Sequence, residues 1–139
     1  MTSHKRERIK NEVLAPIFFE AGAALYDCQE FEYSIAYLLY HLSRIGVKGL
    51  DVIQTQAILG GDVKNTAGQL NQILKEHVNL SFDMETSLEK ALKARNPIVH
   101  PFLKDNVEQF LEPSGRESVL AGLRELRSLV RDASNRLWS

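Results

Sequence analysis

The stretch IFFEAGAALYDCQEFEYSIAYLLYHLSR, Ile17 to Arg44, decides the fold. Its apolar residues return every three or four positions, which is the period of an α-helix. At about 100° per residue, Ile17, Ala21, Ala24, Cys28, Phe31, Ile35, Leu38, Leu39 and Leu42 share one broad face, and that face is assigned to the core. Phe19, Tyr26, Tyr33, Tyr37 and Tyr40 fall in a narrow stripe on the opposite side. A monomer leaves this stripe in water unless the loop after Gly46 or another helix covers it. The other reading is a homodimer packed through this helix, because tyrosine suits an interface where its hydroxyl stays wet. Cys28, inside the core stripe, reads as a small buried hydrophobe. Glu32 sits at the edge of the same face, where a carboxylate is either partly solvated or paired with a buried cation.

Working outward, the helix is expected from about Glu7 to Arg44, ended by Gly46 and Gly49, with Pro16 either kinking it or marking its start. A short helical piece, LDVIQTQAIL, stops at Gly60 and Gly61. Thr66 and Gln69 have capping-box spacing and open a second long helix through about His77. Asp83 begins a third that is expected to end before Pro113, and Ser114 with Glu117 forms a second capping box for a last helix to Leu137. No strand-like alternation, internal repeat or low-complexity tract interrupts this pattern. The expected fold is all-α: a four-helix up-and-down bundle with one short extra helix, short loops making neighbours antiparallel. Residues 1–139 read as one domain, with 1–6 as a flexible N-terminus.

Composition narrows the function classes. A chain of 139 residues can bury one core, and 44% hydrophobic with 25% charged residues is ordinary for a soluble globular protein. No apolar run approaches the roughly 18 to 20 residues of a membrane span. The opening MTSHKRERIKNEV lacks the apolar core of a signal peptide, so a cytoplasmic location is expected. One cysteine excludes an internal disulfide and a cysteine-based zinc cluster. His4, His41 and His77 are scattered and form no ligand pattern, so neither metal nor cofactor is expected. A net charge of −1 means that any nucleic-acid binding must come from a local basic surface. Arg124, Arg127 and Arg131 stand on one face of the last helix. They either hold phosphates or form a solvated face balanced by Glu117, Glu125 and Asp132. The N-terminal HKRER leaves the same choice between a binding arm and a frayed tail.

The reactive residues gather in LEKALKARNPIVHPFL, Leu88 to Leu103. Met84, Leu88, Ala91, Leu92, Ile98, Val99 and Phe102 trace its apolar stripe, and Arg95 falls inside that stripe. An inward arginine needs a partner such as Glu32, or else lines a cleft, since an unpaired buried charge is expensive. Asn96 and His100 stand one turn apart on one face. Asn96 is a good N-cap and Pro97 a good first helical residue, so the helix is expected to break at Asn96 and restart. That break would turn Arg95, Asn96 and His100 about one exposed corner.

The segment ARNPIVHPF resembles the R-x4-6-H signature of the HEPN superfamily, in which a polar residue, often asparagine, follows the arginine. YDCQEFEYSIAYLL is similar to the long first helix of small bacterial HEPN-like proteins, and NTAGQLNQILKE to their second, so the resemblance spans most of the chain. It implies either a metal-independent endoribonuclease of the toxin or defence kind, or a non-catalytic module that binds nucleotide, RNA or protein. Under the first, Arg95, Asn96 and His100 are the functional positions and two chains supply one cleft. Under the second, Arg95 is structural. The implied partners are a second copy of the chain, RNA or a nucleotide, and a cognate antitoxin or other protein. Two departures stand out: Pro97 lies inside the motif, and Phe102 replaces the tyrosine that one toxin subgroup offers its nucleotidyltransferase antitoxin for modification. That form of control is not expected here, because phenylalanine has no hydroxyl.

Overall fold

A computed structural model describes residues 11–63, 65–99 and 102–138. Among the described residues the structure is entirely helical: α1 (Asn11–Arg44), α2 (Val52–Leu59), α3 (Ala67–His77), α4 (Phe82–Val99), α5 (Phe102–Asn106), a 3-10 helix (Val107–Leu111) and α6 (Pro113–Leu137). Helix α1 organises the rest. It packs most extensively against α6 and also touches α2, α3 and α4, while α6 packs in turn against α4 and the 3-10 helix. No described helix is long and apolar enough to cross a membrane.

The core lies where the 100° periodicity places it. From α1, Ile17, Ala24, Cys28, Phe31, Ile35 and Leu39 are buried, with Ala21, Leu38 and Leu42 half-buried at the margin. Facing them are Leu70 and Leu74 of α3, Leu88, Ala91 and Ile98 of α4, and Val119, Leu123 and Val130 of α6. Fully burying one large apolar side chain contributes roughly 1.5–3 kcal/mol, so this contact set dominates the stability.

Local chemistry fixes several ends. The Thr66 hydroxyl accepts the Gln69 amide at 3.1 Å and the Gln69 side chain accepts the Thr66 amide at 2.8 Å, the expected reciprocal box. Asp51 caps α2 through the Gln54 amide, and the Ser81 hydroxyl accepts the Met84 amide to open α4. Between α1 and α2 the chain turns through Gly46 and Gly49, both at φ +91°. Gly49 is also crowded: a Cβ there would lie 2.9 Å from the His77 ring.

Helix α1 runs through Pro16, which therefore does not mark its start. Two further sequence expectations are corrected. The box at Ser114 and Glu117 does not form, because α6 starts earlier: Pro113, with its φ already set for a helix, takes the first position after Glu112. The Arg116 guanidinium then donates to the Phe110 carbonyl at 2.7 Å, tying the helix start to the 3-10 segment. The other concerns α4, which does not break at Asn96 but runs on through Pro97 to Val99. Among the described residues, the short α5 and the 3-10 helix lie between it and Pro113. A single interior proline removes one ladder hydrogen bond, which a helix already packed through Leu88, Ala91 and Ile98 tolerates.

Candidate functional site

Arg95 leans inward from the last turns of α4 and meets Glu32 of α1, with Nη2 2.5 Å from Oε1. The side chains keep 15% and 28% exposure, so this is a half-buried ion pair with one edge open to solvent. The Arg95 Nε is buried and has no hydrogen-bond partner among the described residues. Asn96 and Pro97 are exposed beside it. His100 and Pro101, like the N-terminal HKRER, lie outside the described residues. Of the two positions open to Glu32, the structure takes the cation pair, and Arg95 takes the partner that an inward arginine requires.

Pro97 remains inside a continuous helix, and its ring nitrogen has no proton for the carbonyl one turn back. Pro97→Ala is therefore expected to raise the melting temperature, since an interior proline costs up to about 3 kcal/mol against alanine. Differential scanning calorimetry reads this directly; a lower melting temperature would mean that the proline ring itself holds this corner.

Cys28 contributes no nucleophile. Burial pushes its thiol up to about 11, the nearby Arg95 charge opposing that rise and Glu32 and Asp27 adding to it. It stays protonated near neutrality and acts as core.

The arginines of α6 do something that neither sequence reading anticipated. Arg127 donates from Nε to Asp27 at 2.8 Å and from Nη1 to Glu20 at 2.7 Å, and Arg124 adds a 3.3 Å contact to Glu20. Both carboxylates are buried. The Arg127 hydrogen bond holds the Glu20 carboxyl below its ordinary range despite burial, with Arg124 helping. Arg127 is thus a clamp between α1 and α6 rather than a phosphate ligand or a solvated residue. Arg131 is exposed, and Asp132 pairs with Arg136 and accepts from Ser87. Glu20 and Asp27, one heptad apart beside the core face, were the available signal.

The aromatic stripe divides in two. Tyr37 packs edge-on to His41 and against Trp138, whose indole N–H donates to Ser34. Tyr40 accepts a hydrogen bond from Arg44. The N-terminal part stays open, with Phe19 71% and Tyr26 63% exposed, and Tyr33 also exposed. Phe18 and Leu25, which the sequence reading did not single out, are exposed and widen this part into an apolar face. Gly22 lies among its N-terminal members, and a Cβ there would meet no other element among the described residues. Among the described residues no cluster of histidine, cysteine and carboxylates could hold a metal ion.

No known protein family, curated protein or solved structure matches the chain.

Proposed function

We propose that this chain is a cytoplasmic HEPN-like four-helix module that cuts RNA as a homodimer without a metal ion, using Arg95, Asn96 and His100. The observation that carries the reading is Arg95 itself. It stands at the end of α4, oriented by Glu32, directly before an exposed asparagine. Cleavage by attack of the ribose 2′-hydroxyl needs a base for that hydroxyl, an acid for the departing 5′-oxygen and positive charge at the pentavalent phosphorus. Histidine, with an ordinary pKa near ~6.5, can carry either proton. One histidine cannot be base and acid at once, whereas a two-fold dimer supplies two copies of His100 and Arg95 to one cleft. A cognate antitoxin or other protein partner would then act by covering that cleft.

The open face of α1 is the proposed dimer surface. Phe18, Phe19, Leu25 and Tyr26 surround Gly22, with Tyr33 about three turns further along the same face, and a residue without a side chain lets two helices approach closely. Sedimentation at micromolar concentration is expected to give twice the chain mass. Phe19→Glu with Tyr26→Glu should yield folded monomer, because both side chains are exposed in the single chain and would be buried as charges in the dimer. A wild-type monomer would overturn the dimer.

RNA cleavage tests the chemistry. The wild type should cut in excess EDTA and leave 2′,3′-cyclic phosphate ends, and His100→Ala should abolish the cutting. A second reading is favoured by the low exposure of Arg95: a non-catalytic nucleotide-, RNA- or protein-binding module in which the Glu32–Arg95 pair is a strut. It predicts that no cleavage product forms and that Arg95→Ala acts on stability alone.

A further inference from the structure

From Lys90 to Lys104 the chain carries Lys90, Lys93, Arg95 and Lys104 and not one carboxylate. Arg95 is engaged by Glu32. The three lysines are exposed and have no ion pair or hydrogen bond among the described residues. Most other described cations are taken. Lys75 meets Glu89, Arg136 meets Asp132, and Arg124 and Arg127 hold Glu20 and Asp27. Arg116 is tied to the Phe110 carbonyl and Arg44 to the Tyr40 hydroxyl. Outside this run only Lys48 and Arg131 are equally free among the described residues. A chain of net charge −1 thus gathers unpartnered positive charge beside Arg95 and Asn96, the local basic surface that binding a polyanion requires.

At about 100° per residue, Lys90, Lys93 and Asn96 share the outward side of α4, opposite the buried Leu88, Ala91 and Ile98. Lys93 stands in the middle of that side. Glu89, one turn before it, is drawn to Lys75 at 3.8 Å, and Lys90 borders Asp83 and Asp132 toward α6. Lys93 is therefore the less compensated of the two. The three positions span roughly 9 Å of helix axis, room for about two or three phosphates of one strand. Recognition of double-stranded RNA takes about 16 base pairs, so the footprint suits a single strand.

We infer that this outward face of α4 holds the phosphate backbone of a single-stranded RNA, with Lys93 as the main positioning contact and Lys90 beside it. The choice of RNA among polyanions rests on the function proposed above for Arg95 and Asn96, but the binding does not depend on cleavage. Phosphate contacts set the register of a strand and read no base, so the binding is indifferent to sequence.

Fluorescence anisotropy of the full chain with a short labelled single strand of 2′-deoxyribonucleotides reads binding alone, since that strand has no 2′-hydroxyl to attack. Binding should saturate and weaken as salt rises. Lys93→Gln should lower the affinity about threefold, as loss of one exposed ion pair implies. It should also make the log–log salt slope shallower by about 0.7, the share of one phosphate contact on a single strand. Lys93→Arg should keep both. Lys48→Gln, which removes an equally exposed and unpartnered lysine elsewhere, should change neither. In the cleavage assay Lys93→Gln should raise KM and leave kcat. No saturable binding, an unchanged salt slope in Lys93→Gln, an equal loss in Lys48→Gln, or equal competition by polyglutamate each overturns the inference. A strand held through Lys93 but never cut in its ribose form leaves this inference standing and removes the proposed cleavage. RNA cut by a Lys93→Gln protein of full affinity does the reverse.

Discussion

Arg127→Leu is expected to lower stability by on the order of 3 kcal/mol, because it strands two buried carboxylates without their cation. For a chain of this size that shifts the melting temperature by about 10 °C. The deficit comes from uncompensated charge, so Glu20→Gln and Asp27→Asn added to Arg127→Leu should recover most of it, the clamp being replaced by neutral groups. The pH dependence has a definite sign. Glu20 titrates below the ordinary carboxylate value in the folded chain, through the Arg127 hydrogen bond first and Arg124 after it. Its contribution is therefore complete above that value and fades as the pH falls through the lower folded pKa. In Arg127→Leu the Glu20 carboxyl loses its main hydrogen bond while its burial remains, so acid relieves part of the damage. Thermal melts of the two proteins should draw closer between pH 7 and pH 4. A gap that is constant across this range, or an Arg127→Leu protein as stable as wild type, would remove the clamp from the account.

His100→Ala and Arg95→Ala should each remove RNA cleavage, but for different reasons that stability separates. His100→Ala should lose at least a hundredfold in rate, the usual minimum for a positioned proton carrier. Arg95→Ala should lose rate and also melt earlier, since Glu32 is left half-buried without its partner. The double variant Arg95→Ala with Glu32→Gln regains stability by removing the stranded charge. If Arg95 stabilises the transition state, that recovered fold stays inactive. If Arg95 is only a strut, any activity returns with the fold.

The sequence was most legible where the chemistry is local or periodic. Ile17, Ala24, Cys28, Phe31, Ile35 and Leu39 could be placed because a long helix repeats its angle, and the Thr66–Gln69 box because both bonds span three residues. The end of α4 was misread because Asn96 and Pro97 together resemble a helix start, while packing at Leu88, Ala91 and Ile98 carries the helix past them to Val99. Arg127 gave no local hint of its role, since its partners lie 100 and 107 positions away. The Glu32–Arg95 pair was anticipated as one option because both residues interrupt apolar faces and each needs the opposite charge. Phe18 and Leu25 lie on the flank of α1, where exposure depends on how neighbouring helices are set and not on periodicity.

Subunit mixing tests the central proposal most directly. Wild-type protein is equilibrated with increasing His100→Ala protein at fixed total concentration, and RNA cleavage in EDTA is followed. If one cleft draws on both chains, only wild-type pairs cut, and the rate falls as the square of the wild-type fraction. A linear fall would mean that each chain works alone, and a wild-type protein that leaves RNA intact would contradict the proposed activity itself.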